Sequence, residues 1–133
     1  MLLAPAAAYA EWIVMSLESA VKNSDIIVVG TLRNVSEETR DGTDYGSGEI
    51  VVDEVLSGKA EPGQRLSLVW ENEHNVMCPR VEHRADQDKR LIWLLTLRSG
   101  DKVAADNPGR VVPLEKREKV LEILRGQEKS KSR

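Results

Sequence analysis

Seven consecutive residues, Ile26-Ile27-Val28-Val29-Gly30-Thr31-Leu32, limit what this chain can fold into more than any other stretch. Residues branched at Cβ are stiff in a helix and pack well on a pleated surface, so the run predicts a well-buried strand continuing toward Val35. A glycine inside such a run implies a bulge or a tight bend, because a strand gains nothing else from losing its side chain. A second apolar run, Leu91-Ile92-Trp93-Leu94-Leu95-Thr96-Leu97, lies within a strand predicted from Lys89 to Leu97 at the centre of the core.

Between these runs the chain alternates strand and turn signals. A strand is predicted from Glu49 to Leu56 and another from Arg65 to Trp70, the latter placing Leu66, Leu68 and Trp70 on one face. Glu61-Pro62-Gly63 separates them as a turn. Short strands are expected near Val103 and at Val111-Val112. The polar segment from Glu37 to Gly48, with Asp41-Gly42 and Gly46-Ser47-Gly48, reads as a hairpin loop. The pair Asp53/Glu54, like Glu37/Glu38, reads as solvated charge, since neighbours on a strand face opposite ways. Helical spacing of Ile13, Leu17, Ala20 and Val21 predicts a helix from Trp12 to Asn23. A second helix is predicted after Pro113, stopping at Gly126. The expected fold is mainly β, a small curled sheet or β-barrel of five to six strands with an N-terminal and a C-terminal α-helix.

The chain has 133 residues, enough for one domain with a real core. The expected organisation is a possible signal-peptide remnant over residues 1–10, one domain over 11–126 and a charged flexible tail over 127–133. There is no Phe, so the core must be built from Val, Ile and Leu with three tryptophans as large fillers. Of these, Trp93 is core, whereas Trp70, at the end of its strand, is a candidate wall for a binding cleft. A net charge of −3 argues against a nucleic-acid surface. Ala8-Tyr9-Ala10 before Glu11 is similar to a secretory cleavage site, which makes export the expectation, although the usual basic opening is missing. No stretch approaches the roughly 20 apolar residues that span a bilayer.

Chemistry-bearing residues cluster in one place. Both histidines and the single cysteine lie in Glu73-His74-Asn75-Val76-Met77-Cys78-Pro79-Arg80-Val81-Glu82-His83. As a metal site, His74, Cys78 and His83, with Met77 as a fourth donor, form a soft set suited to Zn(II) or Cu(I). The spacing is not the paired CxxC pattern of a structural zinc site. As ordinary structure, Cys78 is a small buried knob and the histidines sit on solvated loop positions. Thiol catalysis would need one histidine as base and a carboxylate to orient it. Glu71, Glu73, Glu82 and Asp86 are near enough in sequence, but so many carboxylates also raise a thiol's pKa. No nucleophile, base and orienter can be named together.

Several stretches taken together resemble a known group. Ser19-Ala20-Val21-Lys22-Asn23-Ser24-Asp25, the strand Ile26–Leu32, the segment Val51–Leu68 and the strand Leu91–Leu95 are similar in pattern to bacterial exported domains with an OB-like barrel. These are shaped like the netrin-like domain of metalloproteinase tissue inhibitors. The resemblance covers roughly residues 17 to 97 and implies an OB-like barrel; it implies little about activity. Inhibitors of that superfamily act through an amino-terminal cysteine held by disulfides, and this chain has neither. The expected function is a non-enzymatic, exported binding module for an unidentified protein or small ligand. Its surface would centre on the Glu71–Asp88 connection, with Trp70, Glu71 and Glu73 as binding residues; the alternative is a soft-metal protein. No cofactor is expected beyond that possible Zn or Cu.

Overall fold

The computed structural model describes residues 15–73 and 83–131. It is mainly β, with about half of its residues in a six-stranded sheet. The strands are β1 (Ile26–Arg40), β2 (Thr43–Ser57), β3 (Arg65–Glu73), β4 (Arg90–Leu97), β5 (Lys102–Ala104) and β6 (Val111–Val112). Their order is β1-β2-β3-β5-β4-β6, and β1 also pairs with β4, so five strands close into a ring with β6 on its rim. All pairings are antiparallel except β3 with β5. A short helix α1 (Leu17–Lys22) precedes the sheet and α2 (Arg117–Lys131) follows it.

Ring closure explains the continuous apolar run at the start of β1. Val28 and Leu32 point into the ring with Ile50, Leu68 and Trp93. Ile27 and Val29 point outward, where Ile92, Leu94 and the helix residues Ala20, Val21 and Val120 cover them. A strand buried on both faces has no polar side to show. Gly30 sits at a register shift in the β1–β2 ladder, as expected of a bend. A methyl group there would lie 2.6 Å from the Val51 carbonyl oxygen and 2.8 Å from Ile50 Cγ2. The Gly30 carbonyl in turn accepts a hydrogen bond from Trp93 Nε1 at 3.0 Å, which satisfies the one polar atom of the largest core side chain.

The polar segment expected as a loop is instead a strand arm. The turn between β1 and β2 is only Asp41-Gly42, both left-handed (φ 51° and 78°), the conformation a two-residue hairpin needs to match strand twist. Cross-strand register is maintained from Ser36↔Ser47 to Arg40↔Thr43. β3 runs along the other side of the arm, pairing Gly46 with Trp70 and Thr43 with Glu73. Polarity misled here because the arm projects beyond the ring, where one face meets water. Where β1 leaves β4, residues 87 and 88 take over its edge. The Asp88 amide donates to the Leu32 carbonyl (2.8 Å) and the Val35 amide to Gln87 Oε1 (2.9 Å).

Both helices occur, with shifted limits. α1 starts after Ser16, whose hydroxyl accepts from the Ser19 amide as an N-cap; residues 12–14 of the predicted helix lie outside the described residues. α2 does not stop at Gly126 but runs to Lys131. One glycine costs a helix only about 1 kcal/mol, and the residues after it include the good helix formers Gln127, Glu128 and Lys129. The first turn of α2 is tied to the sheet by Arg117, which makes a two-pronged contact with the Glu54 carboxylate. That hydrogen bond holds the Glu54 carboxyl below the usual carboxylate range. Asp53 faces the other way and pairs with Arg90 at 2.9 Å.

One buried charge joins the outer layer. Arg110 is only 6% exposed, and its guanidinium donates to Ser24 Oγ (3.0 Å), the Leu94 carbonyl (3.1 Å) and the Asn23 carbonyl (3.3 Å). It therefore satisfies the end of α1 and a β4 carbonyl together. Replacing it by Met keeps the volume and removes every donor. Each buried acceptor left unpaired costs about 1–3 kcal/mol, so Arg110→Met should lower stability by about 3 kcal/mol in urea denaturation, with Arg110→Lys recovering part. A loss below about 0.5 kcal/mol, typical of a surface change, would mean that the guanidinium carries no structural load.

Candidate functional site

Two linked features stand at the far end of the ring, an aromatic clasp and a polar cleft. The clasp begins with Trp70. It is 5% exposed, and its indole lies directly on Gly46 of the neighbouring strand, so close that even a methyl group there would collide with the ring. Gly48 plays the same part for Leu32, whose Cδ1 would be 2.8 Å from an added Cβ. The pair Gly46 and Gly48 thus marks the inward face of β2, two residues apart as strand geometry requires.

His83 closes the clasp. Its ring meets Trp70 edge-on at 5.0 Å between centroids and Trp93 at 5.8 Å. It is 2% exposed, not solvated as expected of a loop histidine. Polarity alone misled because the imidazole is amphipathic, with a ring that packs on aromatic faces and nitrogens that need only one or two partners. Nε2 lies 3.1 Å from the Ala105 carbonyl oxygen, which can only accept, so Nε2 carries the proton and donates. Nδ1 lies 3.5 Å from Asp86 Oδ2, too far for a good hydrogen bond. Burial pushes the His83 pKa below the ordinary value, and Asp86 and the Ala105 carbonyl oppose it less strongly.

The cleft lies on the outward face of the same strands. Its volume is about 660 Å³, the size of a small-ligand site. Two cross-strand rows form its floor: Glu38–Tyr45–Glu71 and Ser36–Ser47–Val69. The segment around the β4–β5 turn forms the opposite wall with Arg98, Ser99, Lys102 and Asp106. The Arg40 guanidinium lies 4.5 Å over the Tyr45 ring and 3.5 Å from Glu38, and Arg98 pairs with Asp106. Among the described residues, Lys102 and Glu71 have no ion-pair partner.

Of the residues expected to bind, Trp70 is chiefly a core residue with one edge reaching the cleft, Glu71 lines it, and Glu73 is exposed at the end of β3 away from it. His74, Met77 and Cys78 lie outside the described residues, so of the proposed metal ligands only His83 is placed. Among the described residues no three His, Cys, Asp or Glu side chains are grouped to hold a metal. Arg40 and Tyr45 lie in the segment whose composition reads as a loop, and Arg98 and Lys102 come from a stretch distant in sequence, so the sequence alone does not mark any of the four as a cleft residue. The legible signal was alternation: Glu38/Arg40, Tyr45/Ser47 and Val69/Glu71 are each two apart, hence on one strand face. No family model matches the chain, and no curated protein matches it.

The buried histidine has a measurable consequence. An unfolded histidine binds a proton near pH 6.5, whereas His83 in the folded chain does so only at lower pH. Its contribution is therefore fully present above about pH 6.5 and is lost as pH falls from there toward the lowered folded value. Urea midpoints between pH 7.5 and 5.5 should fall for the parent protein and fall less for His83→Gln, whose amide can still donate to Ala105. Equal slopes in the two proteins would contradict a depressed His83.

Proposed function

We propose that this protein is a non-enzymatic binding module whose ligand site is the cleft between the β1–β2 arm and the β4–β5 turn. The observation that carries this reading is the cleft's position in the ring. An OB-like barrel takes ligands on its second and third strands and on the loops joining strands one to two and four to five. The cleft draws on the same region: Tyr45 and Ser47 on β2, Val69 and Glu71 on β3, Glu38 and Arg40 at the end of β1 just before the β1–β2 turn, and Arg98 and Ser99 at the β4–β5 turn. The order β1-β2-β3-β5-β4-β1, with β3 and β5 parallel, supports an OB-like barrel and the likeness to exported domains of the netrin type. A nucleic-acid strand is the wrong occupant, because the lining balances three cations with three anions and offers one aromatic face. Export, from Ala8-Tyr9-Ala10, is part of the same proposal.

The soft-metal reading stays as the alternative on one observation, the buried Nδ1 of His83 without a hydrogen-bond partner. A single experiment separates the two. A library of small polar fragments, followed by Zn(II), is titrated into ¹⁵N-labelled protein and the amide shifts are mapped. Fragment-induced shifts at Tyr45, Ser47, Glu71 and Ser99 are the expected result. Fragments that bind only elsewhere, or none that bind, would overturn the cleft reading. Stoichiometric Zn(II) shifts around His83 that vanish in Cys78→Ser would replace it with the metal reading.

A further inference from the structure

Six charged side chains line the cleft, and four neutralise one another: Arg40 with Glu38, and Arg98 with Asp106. The remaining two are opposite in sign and stand on different strands, Glu71 on β3 and Lys102 on β5. Neither has an ion-pair partner among the described residues. We infer that the cleft takes a small zwitterion, a molecule with a carboxylate for Lys102 and an ammonium or guanidinium for Glu71. This inference rests on the cleft being the ligand site.

Register sets the length of that molecule. Lys102 is paired with Ser67, and Glu71 lies four residues further along β3, so about 13 Å of strand separates the two backbone positions. Both side chains are long and exposed, so their charged ends are free to shorten that gap. The charges of glycine, on neighbouring carbons, are too close together to bridge it, whereas a chain with several methylenes between the charges fits. Tyr45, the cross-strand partner of Glu71, lies beside the cationic end. Ser99 and Ser47 offer hydroxyls along the way, and Val69 gives apolar floor for methylenes.

The probe is 6-aminohexanoate, titrated against ¹⁵N-labelled protein, with hexanoate and hexylamine as single-charge controls, glycine as the short control and a neutral trisaccharide. Saturable shifts at Tyr45, Glu71, Ser99 and Lys102 are expected with 6-aminohexanoate. Both single-charge controls and glycine should bind about tenfold more weakly, the loss that follows when one charge-assisted hydrogen bond is removed. Glu71→Gln and Lys102→Met should each cause a similar weakening without lowering Tm, since both side chains are exposed. Equal binding of zwitterion and single-charge controls, or variants that bind like the parent, would overturn the inference. Shifts from the trisaccharide but not from 6-aminohexanoate would overturn the zwitterion and leave the binding module standing. No cleft shifts from any probe or fragment would overturn both.

Discussion

The far half of this structure depends on one close approach, the Trp70 indole laid against the backbone of Gly46. Only glycine permits it, because any β-carbon at position 46 would occupy the space of the ring. The contact fixes β3 to the projecting hairpin arm and turns the same strands' other face into the floor of a cleft. It also holds Trp70 at the angle where His83 can wedge edge-on between Trp70 and Trp93. Through the Nε2 hydrogen bond to Ala105, the histidine carries this order on to the segment after β5. Core packing and cleft geometry are therefore two sides of one sheet.

The near half is held by a different device. β1 is buried on both faces, the ring interior on one side and the helices on the other, so its sequence has no room for polarity until it leaves β4. Arg110 satisfies the carbonyls that this layered arrangement strands at the end of α1 and in β4. Arg117 does the corresponding work at the start of α2 through Glu54. A polar group buried without partners would cost as much as several apolar contacts contribute, which is why Arg110 sits where helix and sheet meet, whereas the Arg117–Glu54 pair is more than a third exposed and contributes less.

Much of the near half was legible in the sequence. Ile26–Leu32 and Leu91–Leu97 are strands at the core, Trp93 is its largest filler, and Gly30 marks a bend. These signals are local, and their physical cause lies within a few residues. The arm was not read, because Ser36–Arg40 and Thr43–Gly48 are polar or glycine-rich and so resemble a loop by composition. Their pattern said otherwise: a two-residue turn that needs left-handed geometry, then glycines two apart. What those glycines meet, Trp70 and Leu32, comes from other strands and cannot be read locally. Of the cleft lining only Trp70 and Glu71 are legible as binding residues, since the rest is drawn from stretches that only the ring brings together. Of the cysteine–histidine cluster, His83 is a buried packing residue, and a lone polar residue in a loop carries no sign of its burial.

The stability of Gly46→Ala in urea, read by tryptophan emission, tests the clasp most directly. Overpacking at this point should lower stability by about 1–3 kcal/mol and shift Trp70 emission to longer wavelength as the indole is pushed toward water. Ser47→Ala, one residue along on the outward face, should leave both unchanged. If Gly46→Ala is as stable as the parent with the same emission, Trp70 does not rest on that backbone. The arm and the cleft would then need another support.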